Sequence, residues 1–280
     1  MSLFSGLEGF GIKGFNKEEL FRDPSVGTSV GDKEEAKKQV KEVKEEDLIF
    51  DKTYQCPVCD KKITAKAVKA GKMRTVGQDA DLRMRYDLVD PYKYGVVVCN
   101  HCGYATLNRY MNGLTTSQIK AVKTNISDAF KELPDMGKVY SYDDALLRHK
   151  LALACAQVKN AKNSEKAYIC LLMAWILRGK YENEECEDRA LLQAEEKEAI
   201  ESAYNGFKLA VSSESFPICG MDEMTLYYLI AELAHQMKDY REAAVCINRI
   251  LASKTVSERI KDKARNLKEE IKIEVKRGQV

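Results

Sequence analysis

Cys56-Pro-Val-Cys59 and Cys99-Asn-His-Cys102-Gly103, separated by the 39 residues 60–98, decide how this chain is read. A C-x-x-C turn places two thiolates on one side of a metal ion and lets its own amides donate to the sulfurs. Two such turns supply four soft ligands, the tetrahedral set that zinc(II) prefers. The expectation is one structural zinc ion held by Cys56, Cys59, Cys99 and Cys102. Four thiolates leave no position open for water or substrate, so a structural ion is favoured over a catalytic one. An iron–sulfur cluster is the alternative within the metal reading. Paired redox thiols are the alternative outside it. Gly103 stands where the chain leaves the second turn, a place that asks for positive φ. The separation exceeds that of a minimal zinc ribbon, so residues 60–98 read as an elaborated hairpin insert.

The rest of the composition bounds the class. The 280 residues are 45% hydrophobic and 31% charged, with a formal net charge of +2. That is ample for a packed core, and no global basic field announces nucleic acid. Beyond the two turns lie Cys155, Cys170, Cys186, Cys219 and Cys246, an odd number of thiols. All but Cys186 neighbour apolar residues, where a free cysteine acts as a small hydrophobe. This usage fits a reducing cytoplasm rather than a secreted disulfide scaffold. No run approaches the length of a membrane span, and no signal peptide is evident.

Residues 1–47 read as a disordered N-terminal tail and charged linker. Gly9, Gly11 and Gly14 satisfy G-x-G-x-x-G, but no strand precedes them and no βαβ unit follows, so a nucleotide loop is rejected. A docking peptide built on Leu3, Phe4, Leu7, Phe10 and Phe15 is the sharper reading of this tail. Residues 16–47 are polar and of mixed charge, as solvated linkers are.

Residues 48–114 read as a zinc-ribbon domain with four cysteine ligands. They carry 11 basic and 6 acidic residues, a net of +5. Lys61, Lys62, Lys66, Lys69, Lys72 and Arg74 run without an acid among them, and Tyr86, Tyr92, Tyr94 and Tyr104 follow. Such a face is either a nucleic-acid surface or a solvated lysine-rich face over core tyrosines, and the nearby acids favour the latter. Asp79-Ala-Asp81-Leu-Arg83-Met-Arg85-Tyr86 is read as an ion-paired hairpin loop rather than an enzyme's work surface, because no nucleophile–base pair accompanies it.

Residues 115–280 read as a tetratricopeptide-like α-helical domain. The expected helices are 116–133, stopped by Pro134; 143–159 and 164–177 as an antiparallel pair; one from about 180 to 211; 224–237; 240–252; and one to about 275. Apolar stripes run through Leu147, Leu151, Ala154, Cys155 and Val158, then through Ala167, Ile169, Cys170, Leu172, Met173, Ile176 and Leu177. Residues 180–201 hold nine acids against three bases. Asp239 with Glu242, and Thr255 with Glu258, have the spacing of capping boxes. Ala243 is the small residue expected where paired helices approach, and the stretch around it resembles one tetratricopeptide repeat. Stacked helical pairs of this kind usually bind proteins or peptides. The fold class is therefore mostly α with a small β zinc ribbon, the ribbon leading and a helical hairpin array following.

Tyr54-Gln-Cys56-Pro-Val-Cys59, the Asp79–Tyr86 element, Tyr94-x-Val-Val-Val-Cys99-x-His-Cys102-Gly103-Tyr104-Ala105 and the helical tail together resemble the bacterial domain-of-unknown-function family 2225. The resemblance covers roughly residues 48–275 and implies a zinc-ribbon-like head on a tetratricopeptide-like body in a cytoplasmic bacterial protein. It carries no established activity.

Other polar residues read as structural. His101 lies inside the second turn, but four cysteines already suffice there. His149 and His235 have no visible partner in sequence, and Trp175 reads as a core anchor. Asn125-Ile-Ser127 matches a glycosylation acceptor, for which a cytoplasmic protein has no use. No catalytic or cofactor-binding residue stands out. The leading functional expectation is a non-enzymatic adaptor, with a structural zinc ribbon and a helical body that binds a protein or peptide partner. A nucleic-acid-binding or regulatory protein using the basic ribbon is the alternative. A thiol- or metal-handling enzyme is the second alternative.

Overall fold

A computed structural model describes residues 43–278. The tail and most of the linker expected over 1–47, including the Gly9, Gly11 and Gly14 pattern and the phenylalanine-rich docking peptide, lie outside the described residues. Residues inside that linker stretch open the described chain as a short helix, α1 (Glu45–Leu48). Glu45 accepts hydrogen bonds from Lys93 Nζ and Tyr94 Oη, each at 2.8 Å, which fixes α1 on the ribbon region.

Three antiparallel hairpins follow. β1 (Ile49–Gln55) pairs with β2 (Lys62–Val68), β3 (Thr75–Gln78) with β4 (Met84–Tyr86), and β5 (Val96–Val98) with β6 (Ala105–Leu107). The first C-x-x-C turn joins β1 to β2 and the second joins β5 to β6. β3 and β4 are the elaborated insert between them. Gly71 lies in a single 3₁₀ turn, Ala70–Lys72, that bends the chain from β2 towards β3.

The helical region begins with α2 (Thr116–Val122), opened by a Thr115–Gln118 capping box. It ends earlier than the helix expected up to Pro134. One π-type turn, Lys123–Ser127, follows, and the chain then leaves helical geometry. The reason is tertiary. Phe130 packs so closely on the second C-x-x-C turn that a Cβ at Gly103 would fall 2.5 Å from its ring.

α3 (Tyr142–Val158) is opened by a capping box between Ser141 and Asp144, and α4 (Asn163–Asn183) runs back along it. The stripe expected on α3 is only partly the buried one. Leu147 is exposed, whereas Ala145, His149, Ala152, Cys155 and Ala156 are buried. α3 packs on β5 and β6 on one side and on α4 on the other, so two faces are covered and a single stripe does not describe it. α4 extends past Leu177 because Arg178 and Glu182 reach back to the β3–β4 loop. α5 (Arg189–Ser213) accordingly starts later than residue 180.

α6 (Glu223–Gln236), α7 (Tyr240–Ala252) and α8 (Glu258–Gly278) complete the body. Asp239 caps α7 by accepting from the Glu242 amide at 3.1 Å. The box expected between Thr255 and Glu258 does not form. α8 starts at Glu258, with the Ser257 carbonyl accepting its first turn, and the Thr255 amide bonds Ser253 Oγ instead. Ala243 is fully buried. At the α4–α5 crossing a Cβ on Gly206 would lie 2.8 Å from that of Ala167, so only glycine lets the helices approach this closely.

The fold is mostly α-helical with small antiparallel sheets. One buried apolar cluster runs from Cys56, Val58, Val96–Val98 and Tyr104 through Cys155, Ile169, Leu171 and Phe207 to Leu226, Leu233, Ile247 and Ile250. The cysteine turns and the helices share this core. Cys155, Cys170 and Cys246 are buried in it as the sequence suggests.

Candidate metal centre

The two cysteine turns are built alike. In the first, the Asp60 amide donates to the Cys56 carbonyl at 2.9 Å and the Cys56 amide to the Lys61 carbonyl at 3.0 Å. In the second, the Gly103 amide donates to the Cys99 carbonyl and the Cys99 amide to the Tyr104 carbonyl, both at 2.8 Å. Each turn is left through a positive φ, 58° at Asp60 and 73° at Gly103. The residue after the second cysteine must reverse the chain into the returning strand, and the left-handed conformation does so in one step.

This repetition brings four sulfurs together. Cys56 Sγ lies 3.7 Å from Cys102 Sγ, Cys59 Sγ lies 3.5 Å from Cys99 Sγ, and all four fall within 4.8 Å of one another. A tetrahedron with metal–sulfur bonds near 2.3 Å has edges of about 3.8 Å, so the donor set fits such an ion. Cys56, Cys99 and Cys102 are buried and Cys59 is half-buried. Among the described residues no other group of three or more His, Cys, Asp and Glu converges in this way.

The electrostatics point the same way. Hydrogen bonds from Cys102 and Cys56 hold the Cys99 thiol far below its ordinary value, against burial. Cys102 is pushed up by its contacts with Cys56 and Cys99 and by burial. At Cys56 the Cys102 contact pulls downward, but the Cys99 contact and burial outweigh it and push the thiol up to about 12. One thiolate is thus easy to form, and its neighbours resist ionising beside it. A dication among them removes that conflict, because metal ligation requires and stabilises deprotonated sulfur. Amides of Val58 and Cys59 at Cys56, and of Tyr104 at Cys102, add donors that favour thiolate.

The Asp79–Arg85 stretch is ion-paired, and its partners extend into the helices. Asp81 is 1% exposed. Its Oδ2 accepts from Trp175 Nε1 at 3.1 Å and from Arg178 Nη2 at 2.9 Å. Arg178 also pairs with Asp79 at 3.3 Å and Glu196 at 2.7 Å. Arg83 and Arg85 both reach Glu182, at 2.8 and 2.9 Å, and both pair with Asp79. Burial raises the Asp79 carboxyl, but the Arg85 hydrogen bond and the Arg83, Arg85 and Arg178 charges hold it below its ordinary value. Burial alone would lower Arg178, yet Asp81 and Glu196 raise it. Every charge here is matched by a neighbour, which suits a clamp between hairpin and helix. Arg178, Glu182 and Glu196 were not legible as its partners. Only the period-two alternation of Asp79, Asp81, Arg83 and Arg85 hinted at one charged face.

The histidines are scattered. His101 is exposed outside the sulfur cluster, His149 is fully buried in α3, and His235 lies 3.2 Å from Glu274. Tyr94 and Tyr104 are buried, so they cannot serve as stacking platforms on the surface. Among the described residues no helix is long and apolar enough to cross a membrane. No curated protein and no solved structure matches the chain. The family model described as an uncharacterized protein conserved in bacteria, domain-of-unknown-function family 2225, matches residues 49–271, and the chain belongs to that family.

Proposed function

We propose that this protein is a non-enzymatic, cytoplasmic adaptor in which one structural zinc ion, held by Cys56, Cys59, Cys99 and Cys102, fixes a ribbon against a tetratricopeptide-like body that binds a protein or peptide partner. The observation that carries the reading is the sulfur cluster, in which all four donors are thiols lying within 4.8 Å of one another. Zinc bound there supplies a cross-link between two hairpins and has no open position for chemistry. The antiparallel helix pairs support the second half, because stacked pairs leave a broad solvent-facing surface.

The charge distribution argues against the nucleic-acid reading. Arg83 and Arg85 are engaged by Asp79 and Glu182, Lys66 pairs with Asp51 at 3.4 Å, and two of the four ribbon tyrosines are buried. Metal analysis of the purified full chain, coupled to affinity capture from native lysate with and without nuclease, tests the proposal. It expects zinc at one ion per chain and a reproducible, nuclease-resistant protein partner. Repeated capture of no partner, with RNA or DNA bound in a steeply salt-dependent manner, would overturn it in favour of the basic-ribbon reading. Ready alkylation of the four thiols while zinc stays bound would favour a thiol- or metal-handling enzyme instead.

A further inference from the structure

Arg148 on α3 is 4% exposed, and among the described residues no carboxylate lies within ion-pair distance of it. Of its five N–H donors, one on Nη2 bonds the Val96 carbonyl at 2.8 Å, and Nη1 meets only the weakly accepting Met136 sulfur at 3.9 Å. Nε has no partner. A guanidinium cannot escape this by losing its proton; the Asp144 carboxylate one turn earlier on α3 is taken by Ser141 and makes no ion pair with Arg148, so its field offsets the buried charge only in part. Other buried cations of this region have an anion beside them: Arg83 has Glu182, Lys93 has Glu45, and Lys159 has Glu165.

The guanidinium borders a solvent-open cavity of about 390 Å³ lined by the β1–β2 hairpin, the second cysteine turn and the loop before α3. It is held in place from below. Its carbon lies 4.4 Å from the Tyr140 ring centroid, Tyr140 stacks on Tyr94 at 5.2 Å, and the Lys66 amide meets the Tyr140 hydroxyl at 3.5 Å. Thr64 and Asn100 add neutral polar groups to the walls. Three acids also border the cavity, and none neutralises Arg148. Asp51 is taken by Lys66, Asp135 accepts the Gly137 amide at 3.0 Å, and Glu132 is exposed. Their charge disfavours a multiply charged anion more strongly than a singly charged one.

We propose that this cavity is a binding site for a carboxylate, received by the Arg148 guanidinium. A carboxylate is planar, carries one charge and matches the guanidinium fork. Its source is either a small free acid or the C-terminus of a peptide. The site adjoins the second cysteine turn, with Val98 and Asn100 on either side of Cys99 in its wall, and does not rest on the adaptor reading.

The test is an NMR titration of the ¹⁵N-labelled, metal-loaded full chain, following the Arg148 Nε–H resonance in the wild type and, in the wild type and every variant alike, the backbone amides of Thr64, Asn100 and Gly137 in the cavity wall. The probes are sodium acetate, trialanine, trialanine amide and inorganic phosphate. A saturable shift with acetate or trialanine, and none with the amide, is expected. Tighter binding of trialanine than of acetate assigns the site to a peptide terminus, and the reverse assigns it to a small acid. Arg148→Lys keeps the charge but loses the fork and is expected to bind about tenfold more weakly or worse. Arg148→Met should keep the helical circular dichroism and bind neither probe. If either variant fails to fold, the wild-type titration still decides. Silence of Nε–H to both carboxylates overturns the proposal. So does equal binding of the amide, or tighter binding of phosphate.

Discussion

The amide of Ala105 donates a hydrogen bond to the Cys155 thiol across 3.3 Å. Ala105 begins β6, immediately beyond the second cysteine turn, and Cys155 lies in the last turns of α3. The Cys155 sulfur also approaches the Gly103 carbonyl at 3.6 Å. The turn that carries two sulfurs is therefore packed directly on a helix, within one core.

Metal removal should consequently be felt beyond the ribbon. Metal-binding free energy is also folding free energy where the site does not exist in the unfolded chain. Chelation, or Cys56→Ser, is expected to strip hydrogen-exchange protection from β1, β2, β5 and β6 and to lower it in α3. α6, α7 and α8 bury their own apolar faces and should keep theirs. Undiminished protection in α3 after metal loss would mean that ribbon and body are stable separately.

Gly103→Ala is expected to destabilise the protein by about 2 kcal/mol or more, because it combines a positive φ with a clash. The added Cβ would fall 2.5 Å from the Phe130 ring. Asp60 occupies the matching place after the first turn at φ 58°. Asp60→Gly relieves that conformation while losing the Gln55–Asp60 side-chain hydrogen bond of 2.8 Å, so its effect should stay within about 1 kcal/mol. Urea denaturation of the two variants separates these cases.

Asp81→Ala should be costly and Arg85→Ala mild. Removing Asp81 strips the buried Trp175 N–H of its acceptor and Arg178 of one of its three carboxylates, Asp79 and Glu196 remaining, so the loss should be about 1–3 kcal/mol. Arg85 is 47% exposed, and an exposed pair is worth about 1 kcal/mol or less. Equal losses in the two variants, by equilibrium unfolding, would show that the clamp does not discriminate buried from exposed charge.

His149 supplies an acid-sensitive element. Burial, against the hydrogen bond between Nδ1 and the Ala145 carbonyl at 2.7 Å, lowers its pKa from 6.5 to about 4. The unfolded chain then binds a proton at a higher pH than the folded one does. Stability from neutral His149 is full above pH 6.5 and is lost as pH falls towards 4, by on the order of 3 kcal/mol. His149→Gln should lack this portion of the pH dependence. Identical stability–pH slopes for wild type and variant between those limits would contradict it.

Local geometry explains what the sequence disclosed. A C-x-x-C turn is determined by a handful of neighbouring residues, so both turns and the left-handed Gly103 were legible. α7 was legible because Asp239 caps it and one face alone, through Ala243, Cys246, Ile247 and Ile250, is buried. Distant contacts explain what was missed. The face buried by α3 depends on β5, β6 and α4 together. The extension of α4 depends on Asp79 and Arg83, almost a hundred residues earlier. The end of α2 depends on Phe130 lying against Gly103. No periodicity within one segment carries those facts.

X-ray absorption at the zinc edge of the purified, unsupplemented protein reads the four-thiolate site itself. One bound zinc ion with four sulfur scatterers at about 2.3 Å is expected, and loss of that shell on Cys99→Ser. A shell containing nitrogen or oxygen, or protein that holds no zinc while its four thiols stay reduced, would contradict it.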